Sequence, residues 1–114
     1  MGPVRDIAAA VGGGFATIGG DGVVRLWAEG RLAEPRELFD GASAGLCLAF
    51  NAAGDRLAAG YSDGELLILD AASGDVVRRW RPHEYGVASV AWSPDGTMLA
   101  AGGADRLLTI WNTA

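Results

Sequence analysis

Three aspartates spaced 42 residues apart are the most regular set of reactive side chains in the sequence: Asp21, Asp63 and Asp105. Carboxylates gathered in one cleft would suit general acid and base catalysis. Each of these three, however, lies in the same kind of turn, just before an apolar stretch, where an aspartate accepts hydrogen bonds from backbone N–H groups. The pattern therefore favours a structural role for each carboxylate, and no catalytic residue is predicted.

The sequence also holds one imidazole, His83, and one thiol, Cys47. Two side chains fall short of the four ligands of a closed zinc site, so neither a metal nor a cofactor is predicted. Cys47 lies in an apolar stretch, where a buried thiol behaves as a small hydrophobic group, and a single cysteine cannot form an internal disulfide. The glycines at 12–14 are not followed by the lysine of a phosphate-binding loop, and a hairpin turn is predicted there.

The charge balance argues against nucleic acid and anionic membranes as partners. The 114 residues carry a formal net charge of −5, and all nine basic residues are arginine, which excludes chemistry that needs a lysine ammonium. Arg78, Arg79 and Arg81 surround Trp80 and would suit a phosphate clamp, but such a cluster in an acidic protein is more typical of a solvated edge strand. No apolar run approaches the roughly 18 residues of a membrane helix, and no signal-peptide pattern occurs, so a cytoplasmic location is predicted.

These residues follow a repeat of 42 residues. The segments that begin at Asp21, Asp63 and Asp105 read DGVVRLW, DGELLIL and DRLLTIW. Upstream, the second and third copies stay in register, since LAAG at 57–60 matches LAAG at 99–102. The first copy fits better with one residue missing, which aligns Ile7 with Val90. A fixed period of this length indicates units that bury their apolar faces against neighbouring units.

Each unit is predicted to contain up to four antiparallel strands, which makes the chain all-β. In the third copy the strands are 87–92, 98–102 and 107–111, with a Ser-Pro-Asp-Gly turn at 93–96. A fourth strand is predicted at 76–80 and, more weakly, at 36–39. The third strands are apolar at consecutive positions, which requires cover on both faces of the sheet. Units of this size and kind are typical of β-propeller blades.

Three stretches of the third copy resemble a WD repeat: VAWSPDG at 90–96, LAAGGAD at 99–105 and LLTIW at 107–111. The resemblance covers nearly the whole chain. In that family a histidine, a serine or threonine, an aspartate and a tryptophan form a hydrogen-bonded network within each blade. Here the resemblance implies only a partial structural network. The matching residues are His83, Asp105 and Trp111 in the third copy, with Ala101 in place of the hydroxyl; Thr17, Asp21 and Trp27 in the first; and Asp63 in the second.

The number of repeats predicts an incomplete ring. Propellers contain about four to eight blades, whereas this chain holds about 2.7 repeats. The predicted blades are approximately 4–40, 41–82 and 83–114, the last without its outer strand, within one partial β-propeller at 1–114. A segment of a longer propeller is favoured, and the alternative is a short propeller that self-assembles through its incomplete end blades. In both cases the end blades are expected to expose large apolar faces.

The resemblance implies binding rather than a reaction. Members of the family usually present partners to one another, so we predict a non-catalytic protein–protein interaction scaffold whose partner is a protein or peptide. Tyr85 is the strongest candidate contact, because an exposed aromatic with a hydroxyl is a typical interface anchor. Glu84, Ser62 and Tyr61 are further candidates. The alternative function is a regulatory or sensor propeller of a larger enzyme or signalling protein whose catalytic domain is absent here.

Overall fold

In a computed structural model, the described part of the chain consists of β-strands and the turns between them. Described are residues 3–10, 13–27, 35–41, 43–81, 85–103 and 108–113. The described ranges contain no helix with the length and hydropathy that a membrane span requires. In chain order the strands are β1 Val4–Ala9, β2 Phe15–Gly19, β3 Val23–Trp27, β4 Arg36–Asp40, β5 Gly45–Phe50, β6 Arg56–Tyr61, β7 Leu66–Asp70, β8 Val76–Trp80, β9 Val87–Trp92, β10 Met98–Gly103 and β11 Leu108–Asn112.

These strands form three antiparallel sheets, each built from strands that are consecutive in the sequence. Sheet 1 has the order β1-β2-β3-β4, sheet 2 the order β5-β6-β7-β8, and sheet 3 the order β9-β10-β11. For the described residues this confirms the all-β class and the sheets of four, four and three strands. The boundaries differ slightly: β4 and β10 each extend one residue further than predicted, and β11 is described from Leu108 onward.

Glycine allows the tight hairpins that the repeat pattern predicts. Gly22 and Gly64 occupy the same repeat position and have φ angles of 77° and 90°, a region that residues with a Cβ adopt rarely. Each closes its hairpin by donating its N–H to a carbonyl three residues earlier, at 3.0 and 3.1 Å. The turn between β1 and β2 is closed by the Ala10 N–H, which donates to the Gly14 carbonyl at 3.1 Å. The described part of the triple glycine is therefore a hairpin turn.

The turn between β9 and β10 is organised around one carboxylate. Asp95 accepts hydrogen bonds from the Ser93 hydroxyl at 2.7 Å and from the Thr97 N–H and hydroxyl at 3.1 and 2.8 Å. These bonds, the one from Ser93 above all, lower the pKa of the Asp95 carboxyl to about 2. Asp95 therefore stabilises this turn in its ionised form.

Sheet 2 lies between the other two sheets and has apolar side chains on both faces. Strands β1 and β2 pack on β5, and β5 and β6 pack on β9. Because side chains alternate along a strand, Leu67 and Leu69 face sheet 1 while Leu66 and Ile68 face sheet 3, and all four are completely buried. The consecutive apolar residues of β7 thus receive the cover that their pattern requires.

The outer faces of sheets 1 and 3 are not covered within the described chain. On sheet 3, Leu108 is 69% exposed and Ile110 is 61% exposed. On sheet 1, Val4 and Ile7 are 55% and 60% exposed. Among the described residues β11 therefore has a neighbouring sheet on one side only. This exposure agrees with the expectation that the end units expose large apolar faces.

The two interfaces between sheets place glycine on opposite sides. A Cβ added to Gly45 of sheet 2 would overlap the Ile18 side chain of sheet 1. A Cβ added to Gly60 of sheet 2 would lie 2.7 Å from the Val87 Cγ1 of sheet 3. Ile18 and Gly60 share one repeat position, and Gly45 and Val87 share another. At both interfaces a large side chain therefore faces a glycine of sheet 2, but this glycine lies on the first strand, β5, at the interface with sheet 1 and on the second strand, β6, at the interface with sheet 3.

Candidate functional site

The two turn aspartates in the described part of the chain are held in the same way. Asp21 Oδ1 accepts the Val23 N–H at 3.1 Å, and Asp63 Oδ1 accepts the Glu65 N–H at 3.0 Å. The second oxygen of each pairs with an arginine, so that Asp21 meets Arg25 at 3.0 Å. The hydrogen bond from Arg25, followed by the one from Val23, lowers the pKa of the Asp21 carboxyl. Both carboxylates thus stabilise a turn within their own sheet. Asp105 lies outside the described residues.

Two tryptophans bind threonine hydroxyls inside their sheets. In sheet 1 the Trp27 Nε1–H donates to Thr17 Oγ1 at 2.9 Å. In sheet 3 the Trp111 Nε1–H donates to Thr109 Oγ1 at 3.3 Å. Thr109 stands directly opposite Ala101, so a hydroxyl from the neighbouring strand takes the place that Ala101 leaves empty. Sequence reasoning missed Thr109, and the cross-strand register is the signal that would have found it.

The remaining network positions differ in character. Sheet 2 has Ala59 and Leu69 where sheet 1 has Thr17 and Trp27, and both are completely buried against sheet 1. The middle sheet therefore replaces the hydrogen-bonded pair with apolar packing. His83, the first member of the expected network, lies outside the described residues.

Tyr85 and Ser62 lie on one rim of the stacked sheets, where Gly86 packs close to Ser62. Tyr85 is 60% exposed. The next residue, Gly86, lies so close to sheet 2 that an added Cβ would stand 2.8 Å from Leu46 Cδ1 and 3.4 Å from the Ser62 Cα. Ser62 is exposed, and its N–H donates to the Ala44 carbonyl at 2.8 Å. The loop that carries Tyr85 thus rests on the hairpin that carries Ser62, and Glu84 lies outside the described residues.

The expectation that Tyr61 contributes to a partner surface is corrected. The Tyr61 side chain is completely buried between sheets 1 and 2, and its hydroxyl donates to the Gly22 carbonyl at 3.0 Å. Burial raises the pKa of the phenol above its ordinary value. An added Cβ at Gly41 would overlap the tyrosine ring, so the absence of a side chain there makes room for it. Tyr61 therefore joins two sheets and offers no surface to a partner.

The arginines around Trp80 are already engaged. Arg79 pairs with Glu65 through two hydrogen bonds of 2.9 and 3.3 Å, and Arg81 pairs with Asp63 at 3.1 Å. Arg78 lies over the Trp80 ring, 4.8 Å from its centroid, and donates to the Asn112 carbonyl at 3.1 Å. Guanidinium groups held in this way within the protein form a poor phosphate clamp.

Cys47 is 3% exposed, and its Sγ donates to the Val87 carbonyl at 3.3 Å across the interface between sheets 2 and 3. Burial raises the pKa of the thiol to about 12, which keeps it protonated and unreactive at neutral pH. Among the described residues no three His, Cys, Asp or Glu side chains lie close enough together to hold a metal ion.

Comparison with known proteins agrees with this geometry. The family described as WD domain, G-beta repeat matches residues 74–112, and the Anaphase-promoting complex subunit 4 WD40 domain matches residues 40–90. WD repeat-containing protein 81 of Danio rerio is 38% identical over 80 residues, which are 68% of this chain and 4% of that protein. Anaphase-promoting complex subunit cdh1 of Dictyostelium discoideum is 36% identical over 104 residues, 89% of this chain and 14% of that protein. WD repeat-containing protein 1 of Xenopus tropicalis is 32% identical over 71 residues, 60% of this chain and 12% of that protein.

The chain thus spans between 4% and 14% of the length of these three relatives. Together the two family matches extend from residue 40 to residue 112, across sheets 2 and 3, and sheet 1 repeats the same strand order and the same turn aspartate. The chain belongs to the WD-repeat family.

Proposed function

We propose that the chain is a non-catalytic protein–protein interaction scaffold, a segment of a longer propeller that binds a protein or peptide through the rim around Tyr85. The stacking order supports the propeller: the first strands of the three sheets, β1, β5 and β9, lie next to one another, as strands around a common axis do. Family membership supports the interaction role. One relative is by its name a subunit of the anaphase-promoting complex, which is a protein assembly.

The observation that carries this proposal is the placement of Tyr85. Its side chain is 60% exposed, while the adjoining Gly86 packs closely against Leu46 and Ser62 of the next sheet. A large amphipathic side chain is thereby held on a supported loop and presented to solvent. Such a side chain binds a partner with little further loss of conformational entropy, which is a property of interface hot spots.

The electrostatics favour a protein partner over nucleic acid. The net charge is −5, and Arg79 and Arg81 are already paired with carboxylates. The structural network assigned to Thr17, Trp27, Asp21 and Asp63, with His83, Asp105 and Trp111, has a supporting role in this proposal because it stiffens the sheets that carry the rim. The cytoplasmic location stays a prediction from the sequence.

Selection of binding peptides from a displayed library, followed by calorimetric titration, tests the role of Tyr85. We expect Tyr85→Ala to weaken the selected peptides by about tenfold or more, as for an interface anchor, with an unchanged Tm. Tyr61→Phe is the matched control, because it lowers stability from inside the protein and leaves peptide affinity unchanged. A Tyr85→Ala variant that melts earlier and keeps its peptide affinity would show that Tyr85 only packs over its own loop.

A further inference from the structure

The outer face of sheet 3 repeats the face that sheet 2 presents to sheet 3. Leu108 and Ile110 hold the repeat positions of Leu66 and Ile68, which are completely buried. This outer face carries no charge among its described residues, which are Ser89, Ala91, Met98, Ala100, Gly102, Leu108, Ile110 and Asn112. A surface of the kind that another sheet covers inside the same chain is thus left exposed.

The outer face of sheet 1 holds the repeat positions with which sheets 2 and 3 each cover the sheet before them. Ile7 stands opposite Thr17 as Leu48 stands opposite Ala59. Leu48 faces the preceding sheet and is 6% exposed, whereas Ile7 is 60% exposed. Val4 holds the position of Val87, at the start of its strand and just before the same irregularity in register. Within the described residues, sheet 1 therefore presents this covering face without another sheet packed on it.

The two end faces carry the same glycine and valine positions as the interface between sheets 2 and 3. Gly102 shares its repeat position with Gly60, which receives Val87. An added Cβ on Gly102 would meet only Ser89 Oγ, at 3.3 Å, among the described atoms, so a similar space is open there. The side chain that sheet 1 brings to this position is Val4, a valine like Val87.

We propose that a second copy of this chain docks head to tail on the first, with its Val4 over Gly102 and its Ile7 against the apolar outer face of sheet 3. The proposal rests on the scaffold function above and takes the self-assembling alternative to a longer propeller, so that a second copy of the chain covers the end faces. Two copies bring six sheets together, which lies within the four to eight of known propellers, whereas three copies would bring nine. The expected assembly is therefore a closed dimer with two equivalent contacts.

A polar position supports the same arrangement. Asp6, Cys47 and Ser89 occupy equivalent sites on the first strands of the three sheets. Asp6 Oδ2 accepts the Leu48 N–H at 2.9 Å, and Cys47 Sγ donates to the Val87 carbonyl at 3.3 Å, so each binds the backbone of the next sheet. Ser89 is exposed on the outer face, where its hydroxyl would bind the β1 backbone of the second copy.

The test exchanges the valine and the glycine of the proposed contact between Val4 and Gly102. The mass of the 114-residue chain is followed by sedimentation at concentrations between about 1 and 100 μM. We expect the wild-type chain to reach twice its mass of 11.7 kDa. Gly102→Val should raise the dissociation constant at least about tenfold through overpacking against Val4. Adding Val4→Gly to this variant should bring the dissociation constant back to within about threefold of the wild-type value, because the new pair then copies Ile18 and Gly45. Val77→Gly, at an exposed valine of β8, is the matched control and should leave the mass unchanged.

A mixing experiment separates head-to-tail docking from pairing of two identical faces, and it does not depend on Gly102. Ile7→Glu and Ile110→Glu should each give monomers, and mixing them should restore a dimer, because each variant keeps one intact face. A wild-type chain that stays monomeric throughout, a Val4→Gly change that fails to rescue, or a mixture that stays monomeric would each overturn the proposal. Tyr85→Ala should leave the mass unchanged, so a failed dimer and a failed peptide site are observed in different measurements.

Discussion

Ile68 and Ile110 hold the same repeat position, but one is completely buried and the other is 61% exposed. Comparing substitutions at these two positions measures how much one sheet stabilises its neighbour. Replacing isoleucine by alanine removes about three carbon groups, each worth about 0.8 kcal/mol when fully buried, and a cavity adds to that cost. We therefore expect Ile68→Ala to lower the free energy of unfolding by about 3 kcal/mol. Ile110→Ala should cost about 1 kcal/mol or less, since over half of its side chain is already in water.

Urea unfolding followed by far-UV circular dichroism measures this difference, and it must be done at a concentration where the chain sediments as a monomer. A loss of about 3 kcal/mol is a large part of the roughly 6 to 17 kcal/mol expected for a domain of this length. Ile7→Ala, at the other exposed isoleucine, is the control and should behave like Ile110→Ala. Equal losses at positions 68 and 110 would refute the argument, because they would mean that sheet 3 does not cover sheet 2 in solution.

Three further predictions concern single groups. Tyr61→Phe should lower the free energy of unfolding by about 1 kcal/mol, because it removes the hydrogen bond from the buried hydroxyl to the Gly22 carbonyl, which then keeps only the Gly41 N–H as a donor, whereas Tyr85→Phe should have almost no effect in the same melt. Cys47 should resist a thiol reagent such as Ellman's reagent at pH 8 in the folded chain and react on unfolding, since its pKa is raised to about 12; rapid labelling of the folded chain would contradict its burial. The pKa of Asp95 is lowered to about 2, so its contribution to stability is present above its ordinary value of 3.8 and is lost as the pH falls towards 2. Asp95→Asn should therefore lower the urea midpoint at pH 7 and lower it progressively less between about pH 4 and pH 2; a difference that does not change with pH would show that ionisation is irrelevant there.

The strands and turns were predictable because short-range chemistry determines them. Gly22 and Gly64 mark turns whose backbone needs a positive φ, and the aspartate before each accepts the N–H of the residue after the glycine. The consecutive apolar residues of β7 required cover on both faces. All of this can be deduced from neighbours within a few positions in the sequence.

The contacts between strands and sheets were not predictable in the same way. Thr109 binds Trp111 because the register puts a hydroxyl opposite Ala101, and finding it requires the pairing of two strands rather than the neighbours of either residue. Tyr61 is the last residue of β6, next to a hairpin turn, and a tyrosine at such a place is typical of a surface anchor. It is buried because Gly41, twenty positions earlier, leaves space for its ring. Likewise, Gly45 faces Ile18 at one interface and Gly60 faces Val87 at the other, and this difference depends on how the sheets pack.

The bond from the Leu48 N–H to Asp6 has a consequence for how the molecule opens. Leu48 lies on β5, the edge strand of sheet 2, yet its amide is held by a carboxylate of sheet 1 at 2.9 Å. Exchange of that proton with deuterium then requires the two sheets to separate, whereas an ordinary edge amide needs only local fraying. Its protection factor is thus a direct reading of the coupling free energy between adjacent repeats, the quantity that decides whether such an array unfolds as one cooperative unit or one repeat at a time.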